Sequence, residues 1–113
     1  MGYVNMANVR TDPHDQLPYD SLMSVALPSG GRLIVLDTLG RNDIPATDRA
    51  RNLVMLDDEG TVVWTVSSEF DGSGDPFTGV AVEGTAIEAY RWDGGTYAVD
   101  AETGEATPLR LDR

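Results

Sequence analysis

Carboxylates dominate the residues of this chain that could do chemistry, and the segment DGSGD places three oxygen-bearing side chains on alternate positions. Asp71, Ser73 and Asp75 match positions 1, 3 and 5 of a calcium loop, where alternate oxygen ligands surround a hard cation. The rest of the pattern fails, because Pro76 stands where an EF-hand needs Gly and Val82 where it needs Glu. The sequence therefore predicts a flexible acidic loop without a metal, with a surface cation held by the three residues as the alternative.

Residues for nucleophilic and acid-base catalysis are scarce. The single histidine, His14, lies beside Asp12 and Asp15, but no GxSxG nucleophile elbow exists, and we interpret it as an exposed turn residue. The chain has no Cys and no Lys, which excludes thiolate nucleophiles, disulfides and Schiff-base chemistry. Carboxylate pairs such as Asp57 and Asp58 could serve a hydrolase, although 19 acidic residues supply such pairs in any case. We predict no catalytic residue and no cofactor.

Three arginines, at positions 41, 49 and 51, share one polar segment and could clamp a carboxylate or phosphate. Asp43 and Asp48 stand among them. The favoured interpretation is local ion pairing in a solvated loop.

Aromatic residues in the second half offer a binding surface. Tyr90, Trp92 and Tyr97 lie on neighbouring predicted strands and could form a stacking platform, although core packing would claim some of them. Strand alternation puts Tyr90 and Trp92 on one face with Glu88, which predicts a half-buried face. The candidate binding residues are Glu88, Tyr90, Trp92, Asp93, Glu102 and Glu105.

The elements that must position these residues are short β-rich runs bounded by Gly, Pro, Asp and Asn, which recur about every ten residues. SLMSVAL turns at PSGG and returns as RLIVLD, whose unbroken apolar run suits a strand buried on both faces. NLVML and TVVWTV flank the turn DDEG, with Val62, Trp64 and Val66 predicted on one face. Two hairpins are therefore predicted in the first half.

The remaining segments extend this pattern. TLGRNDIPATDRAR is predicted to be a loop with one helical turn, and SSEFDGSGDPFTG a second loop. Four strands in close succession follow, the last marked as an edge by Pro108, which cannot donate to a ladder. The N-terminal YVNMANV could add a further strand.

The chain also contains an internal repeat. VMLDDEGTV and YAVDAETGE align Asp57 with Asp100 and Gly60 with Gly104, which defines units of about 20–67 and 76–112 within one predicted domain, 1–113. The structural turn residues are predicted to be Asp57, Gly60, Trp64, Asp100, Thr103 and Gly104.

The second unit resembles the blade repeat of the pyrroloquinoline-quinone-type β-propellers, which carry an Ala-x-Asp-x-x-Thr-Gly-x-x-x-Trp signature. Ala98, Asp100, Thr103 and Gly104 match it; its Trp is replaced by Pro108 here, while the first unit supplies Trp64 but lacks the Thr. The resemblance implies that the signature is a packing device rather than a quinone site. Propellers need about four to eight blades, whereas this chain has two units.

We therefore predict an all-β fold, an antiparallel meander of about eight or nine strands in two blade-like sheets. The sheets pack as a compact sandwich or half-open barrel and not as a closed propeller.

The net charge of −11 is concentrated in residues 53–113, which hold 13 acidic residues against 3 Arg. Such a field disfavours nucleic acid and anionic membrane surfaces and favours a basic protein, although adaptation to salt would also produce it. No export signal or membrane-spanning run is present, so a cytoplasmic location is expected.

Three functions follow. The first is a non-enzymatic protein-binding module, of the immunity-protein kind, that inhibits a basic partner; the chain is similar to small orphan bacterial proteins, some of which act as partners or inhibitors. The second is a small ligand-binding or carboxylate-based hydrolytic domain. The third is a self-associating structural β-repeat protein, so that a monomer or a small homo-oligomer is expected.

Overall fold

The computed structural model describes residues 17–111, and within this range eight strands form two four-stranded antiparallel sheets. The first sheet contains β1 (Ser21–Ala26), β2 (Arg32–Leu36), β3 (Leu53–Leu56) and β4 (Val62–Thr65). The second contains β5 (Phe77–Glu83), β6 (Ala86–Arg91), β7 (Gly95–Val99) and β8 (Ala106–Leu111). A short helix, α1 (Ala46–Ala50), and a 3-10 turn at Asp71–Ser73 lie in the loops.

This architecture confirms the predicted all-β meander in two sheets without a closed propeller. Each strand pairs with its neighbour in the chain, so that each predicted repeat unit contains one sheet. The predicted helical turn is confirmed by α1, and β8 is an edge strand, as Pro108 indicated. The N-terminal strand predicted in YVNMANV and the turn histidine His14 lie outside the described residues.

The strand β2 is buried on both faces, as its unbroken apolar run predicted. Leu33 and Val35 face the second sheet, whereas Ile34 and Leu36 join an outer cluster with Val54 and Leu56. The outer cluster is packed against Leu17 and Tyr19, beside a groove of 510 Å³.

The prediction for β4 was partly wrong. Trp64 and Val66 enter the core between the sheets, but Val62 is exposed and pairs with Leu56. The register of β3 against β4 shifts between Met55 and Leu56, and the bulge moves Val62 to the opposite face.

In the second sheet, strict alternation sorts the side chains of β6. Ile87, Ala89 and Arg91 point inward and are buried, whereas Glu88 and Tyr90 are exposed on the outer face. The alternation that predicted an accessible aromatic residue at position 90 thus also places an arginine in the interior.

The two sheets share one core. Phe77 of β5 and Tyr97 of β7 meet edge to face with ring centroids 5.4 Å apart, among the inward-facing residues of the first sheet. The predicted stacking platform therefore loses Tyr97, which is buried in this core.

The two sheets are in contact where the first sheet ends, next to the turn before β8. Ser67 pairs in parallel with Glu105 just before β8, linking the sheets along one flank. Trp64 packs against Gly104, and its indole N–H donates to the Ala101 carbonyl at 2.9 Å. Trp64 of the first repeat unit therefore packs on and hydrogen-bonds to the last turn of the second repeat unit.

The two repeated turns have the same construction. The Asp57 carboxylate accepts the N–H groups of Glu59 and Thr61, both at 2.9 Å. The Asp100 carboxylate accepts the N–H of Glu102 at 2.8 Å. Gly60 and Gly104 follow with φ of 85° and 79°, and the Thr103 hydroxyl accepts the N–H of Glu105. These residues hold turns, and the carboxylates at 57 and 100 are already engaged by backbone.

Candidate functional site

Three connecting segments, 37–52, 66–76 and 92–94, meet at one end of the sandwich, which we call the loop end. The helix α1 lies here and packs against the 3-10 turn. Its single turn begins after Pro45, whose carbonyl accepts the N–H of Arg49 at 2.9 Å. Because α1 is so short, tertiary contacts must hold it in place.

The first of these contacts is an ion-pair network centred on the buried side chain of Asp71. Its Oδ1 accepts from Arg91 Nη2 at 2.9 Å, and its Oδ2 accepts from Arg51 Nε at 2.7 Å. Ser68 adds its backbone N–H and its hydroxyl, each at 2.8 Å. Both carboxylate oxygens are therefore occupied, and the linker between the sheets is tied to β6 and to the end of α1.

Arg91 is the interior cation of this network. Its guanidinium carbon lies 4.2 Å from the ring centroid of Phe77 and 4.7 Å from that of Tyr97. Its Nη atoms donate to the Tyr97 hydroxyl, the Ser68 hydroxyl and the Ala50 carbonyl. Aromatic faces and one carboxylate thus replace water around a buried charge.

The ionisation of Asp71 follows from these partners. Burial works against the charged form, but hydrogen bonds from Arg51, Ser68 and Arg91 outweigh it and hold the pKa of Asp71 below its usual value of 3.8. A general acid needs the opposite shift, so Asp71 acts as a fixed anion.

Asn52 provides a second link between the sheets. Its amide nitrogen donates to the Leu36 carbonyl at 2.8 Å and to the Phe77 carbonyl at 2.7 Å. Its amide oxygen accepts the N–H of Phe77 at 2.8 Å. One buried side chain therefore joins the end of β2 to the start of β5.

The arginines of the segment 41–51 also form hydrogen bonds and ion pairs within the loops. Arg41 forms a bidentate pair with Asp43, with distances of 2.9 and 2.7 Å, and this pair holds the pKa of Asp43 below its usual range. Arg49 donates to the Ile44 carbonyl at 2.7 Å and lies beside Gly74. Together with the contact from Arg51 to Asp71, these bonds support local pairing rather than an anion clamp.

Above this fixed base, three large apolar side chains are exposed: Leu39 (43%), Phe70 (44%) and Trp92 (61%). Leu39 and Trp92 line a groove of 440 Å³, and Phe70 lines another of 380 Å³. The two grooves share Ser73 and Asp75 of the turn between them. We call this surface, with Leu39, Phe70 and Trp92 as its apolar residues, the loop platform.

The charges around the loop platform are mainly negative. Glu69, Asp75 and Asp93 line the groove beside Phe70, and Arg49 lines the groove beside Trp92. An apolar surface with an acidic border suits a partner that presents apolar and basic side chains.

The six predicted binding residues occupy three places. Trp92 and Asp93 belong to the loop platform. Glu88 and Tyr90 lie on the outer face of β6, where the Tyr90 hydroxyl donates to Glu88 Oε1 at 3.3 Å. Glu102 and Glu105 lie in the turn before β8, at the opposite end of the second sheet, and Glu105 shares a groove on the flank with Arg51 and Glu69. They do not form one surface.

The calcium-loop residues do not converge either. Asp71 faces the interior, and the Ser73 hydroxyl donates to the Phe70 carbonyl at 3.1 Å. Asp75 lines the two grooves instead. Within residues 17–111 no group of three or more His, Cys, Asp or Glu side chains is placed to hold a metal ion.

Comparison with known families adds one relationship. A family model described as Domain of unknown function (DUF7957) matches residues 20–111, which include both sheets. The chain belongs to this family. No match was found among curated proteins or among solved structures.

The DUF7957 match begins just before β1 and ends with β8, so it includes the loop platform and the network beneath it. It assigns no function, and the resemblance to propeller blades stays a prediction. In the described part of this DUF7957 domain, no helix has the length and apolar character to cross a membrane.

Sequence reasoning missed two kinds of residue in the DUF7957 domain. Leu39 and Phe70 were assigned only to loops, and no local pattern marks them as exposed neighbours of Trp92. Arg91 was detectable, because it alternates with Tyr90 and Trp92 and must face inward if they face outward.

Proposed function

We propose that this protein is a non-enzymatic recognition module that binds a partner protein through the loop platform. The observation that carries the proposal is the exposure of Trp92 and Phe70 directly above the buried pair of Arg91 and Asp71. Large aromatic side chains on a rigid base lose little conformational freedom on binding, and for that reason they are frequent hot spots.

The charge of the protein supports a basic partner. The net charge is −11, and three carboxylates border the groove beside Phe70. A cationic protein would be attracted over long distances and oriented by this field. An immunity-type inhibitor of a basic protein is the specific form of this function that we favour.

The test compares Trp92→Ala with Leu109→Ala, which removes an equally exposed apolar side chain from the edge strand β8. Purified wild type and both variants serve as bait in the native host, and the proteins that they retain are quantified. Trp92→Ala should weaken binding of the retained partner at least about 30-fold, the effect of a hot spot worth about 2 kcal/mol, while Leu109→Ala should leave it unchanged.

Two controls make the result specific. Trp92→Ala should alter the free energy of unfolding by less than about 1 kcal/mol, because the side chain is mostly exposed and its backbone N–H still donates to Pro76. Sedimentation at several concentrations tests self-association. Equal partner binding by both variants, or a wild-type oligomer that Trp92→Ala dissociates, would contradict the proposal.

A further inference from the structure

The end of the sandwich opposite the loop platform carries four hairpin turns, 27–31, 57–61, 84–85 and 100–105, which we call the hairpin end. These turns contain six carboxylates and no arginine: Asp57, Asp58, Glu59, Asp100, Glu102 and Glu105. Glu105, at the end of the last turn, lies on the flank of the sandwich, where it pairs with Ser67 and shares a groove with Arg51 and Glu69 of the loop end. Glu83, the last residue of β5, adds a further carboxylate next to the third turn. The nearby arginine Arg32, at the start of β2, donates to the Ser24 hydroxyl. The hairpin end is therefore more uniformly acidic than the loop end, where four arginines are interspersed.

An apolar cleft opens between the two sheets at the hairpin end. It has a volume of 160 Å³ and is lined by apolar side chains from both sheets: Leu27, Pro28, Met55, Val82, Ile87 and Ala101. A cavity of about 150 Å³ is large enough for a benzene ring, so the cleft fits one Leu, Met or Phe side chain.

The residues that line the cleft are uncharged, and exposed carboxylates lie around it. Glu102 follows the lining residue Ala101, whereas Glu83 alternates with the lining residue Val82 and therefore lies on the outer side of β5, next to the lining residue Gly84. Asp58 contacts the first turn, since its Cβ lies 3.4 Å from the position that a Cβ on Gly30 would take. The apolar cleft thus lies at the end of the sandwich where the turns of both sheets carry exposed carboxylates.

This chemistry selects the occupant. A second copy docking through the same end would bring two acidic surfaces together, and nucleic acid or an anionic membrane would be repelled. A cationic segment that presents one apolar side chain satisfies both the cleft and its border. We propose that the hairpin end binds a partner segment in which one apolar residue is flanked by arginines or lysines.

The proposal does not depend on the loop platform. The two surfaces lie at opposite ends of β6, with Ala86 at the hairpin end and Arg91 beneath the platform. Either surface can therefore fail its test without affecting the other.

The experiment uses synthetic peptides on the full chain. An Arg-Arg-Leu-Arg-Arg peptide is titrated into methyl-labelled protein and compared with peptides in which Ser replaces Leu or Glu replaces each Arg. The leucine peptide should shift the methyl resonances of Met55, Ile87 and Ala101 in a saturable way. Its affinity should exceed that of the serine peptide by about tenfold, as burial of one leucine side chain predicts.

Variants at the two ends of the sandwich test which carboxylates attract the peptide. Glu83→Gln combined with Glu102→Gln should weaken the leucine peptide at least threefold, whereas Glu69→Gln at the loop end and Trp92→Ala should not change its affinity. All four positions are exposed, so the variants keep the fold. Equal affinity for the leucine and serine peptides, or shifts confined to residues around Trp92, would overturn the proposal.

Discussion

At the residue scale, the buried arginine determines what the loop end can do. Arg91 is inside because Ile87 and Ala89 share its face of β6, and it is tolerated there because Asp71 and two aromatic rings surround it. Such a pair contributes little net stability compared with an apolar replacement, but loss of one partner leaves an uncompensated charge. The main role of the pair between Arg91 and Asp71 is to hold in place the linker on which Phe70 lies.

Asp71→Asn should therefore destabilise the protein by about 3–5 kcal/mol near neutral pH, measured by urea unfolding. Glu69→Gln, two residues away and exposed, is the matched control and should change stability by less than about 0.5 kcal/mol. A small loss in Asp71→Asn would mean that Arg91 finds other compensation.

The same carboxylate gives a pH signature. The pKa of Asp71 is lowered in the folded state, so between that value and about 3.9 the unfolded chain binds more protons and stability rises with pH. The contribution of Asp71 is present above about pH 4 and is lost as the pH falls through the folded pKa. The stability difference between wild type and Asp71→Asn should consequently shrink in acid, as urea unfolding at several pH values would measure; a constant difference would contradict this assignment.

At the element scale, the two sheets could be predicted from alternation and turn residues, whereas the details of their pairing could not. The strand β2 and the hairpins were recognisable from local patterns, but the bulge opposite Met55 depends on how β3 and β4 fit together. The contacts of Asn52 with Leu36 and Phe77 likewise join positions far apart in sequence. Periodicity reports which face a residue occupies only while the register is continuous.

The joint between the sheets gives a matched pair of glycine variants. Gly104 has φ of 79°, and a Cβ there would lie 2.5 Å from Trp64 Cε3. Gly84 has φ of 63° but nothing within 4 Å of an added Cβ. Gly84→Ala should cost about 1–2 kcal/mol from backbone strain alone, and Gly104→Ala about 1–3 kcal/mol more from overpacking.

Thermal or urea unfolding of the two variants checks this difference. If Gly104→Ala lowered the free energy of unfolding no more than Gly84→Ala does, Trp64 would be free to move aside. The contact between the two sheets at Gly104 would then be less tightly packed than its geometry indicates.

At the scale of the whole molecule, charge is distributed by position in the fold as well as by position in the chain. The sequence located the acidity in the second half, yet folding brings the β1–β2 turn beside the turns of the second sheet, and Asp58 of the β3–β4 turn beside the β1–β2 turn. The split of the predicted binding residues into three places has the same origin. The sequence indicates which residues lie at the end of each strand. Which strand ends lie next to each other depends on how the two sheets pack.

A basic partner should therefore associate more slowly as salt is added. Between about 20 mM and about 500 mM salt, the association rate should fall about tenfold or more, while the dissociation rate changes much less. Stopped-flow measurements with the partner retained by the wild type would test this. Salt-insensitive association would indicate that the acidity serves solubility rather than recognition.

The two tryptophans provide built-in optical reporters, since one is buried at the joint and the other is exposed on the loop platform. In Trp92→Phe, fluorescence would come from Trp64 alone, and its emission would move to longer wavelength when the halves separate. In Trp64→Phe, emission would come from Trp92 alone and would move to shorter wavelength when a partner covers the platform. Cohesion of the fold and occupancy of its surface can thus be followed separately, without an attached dye.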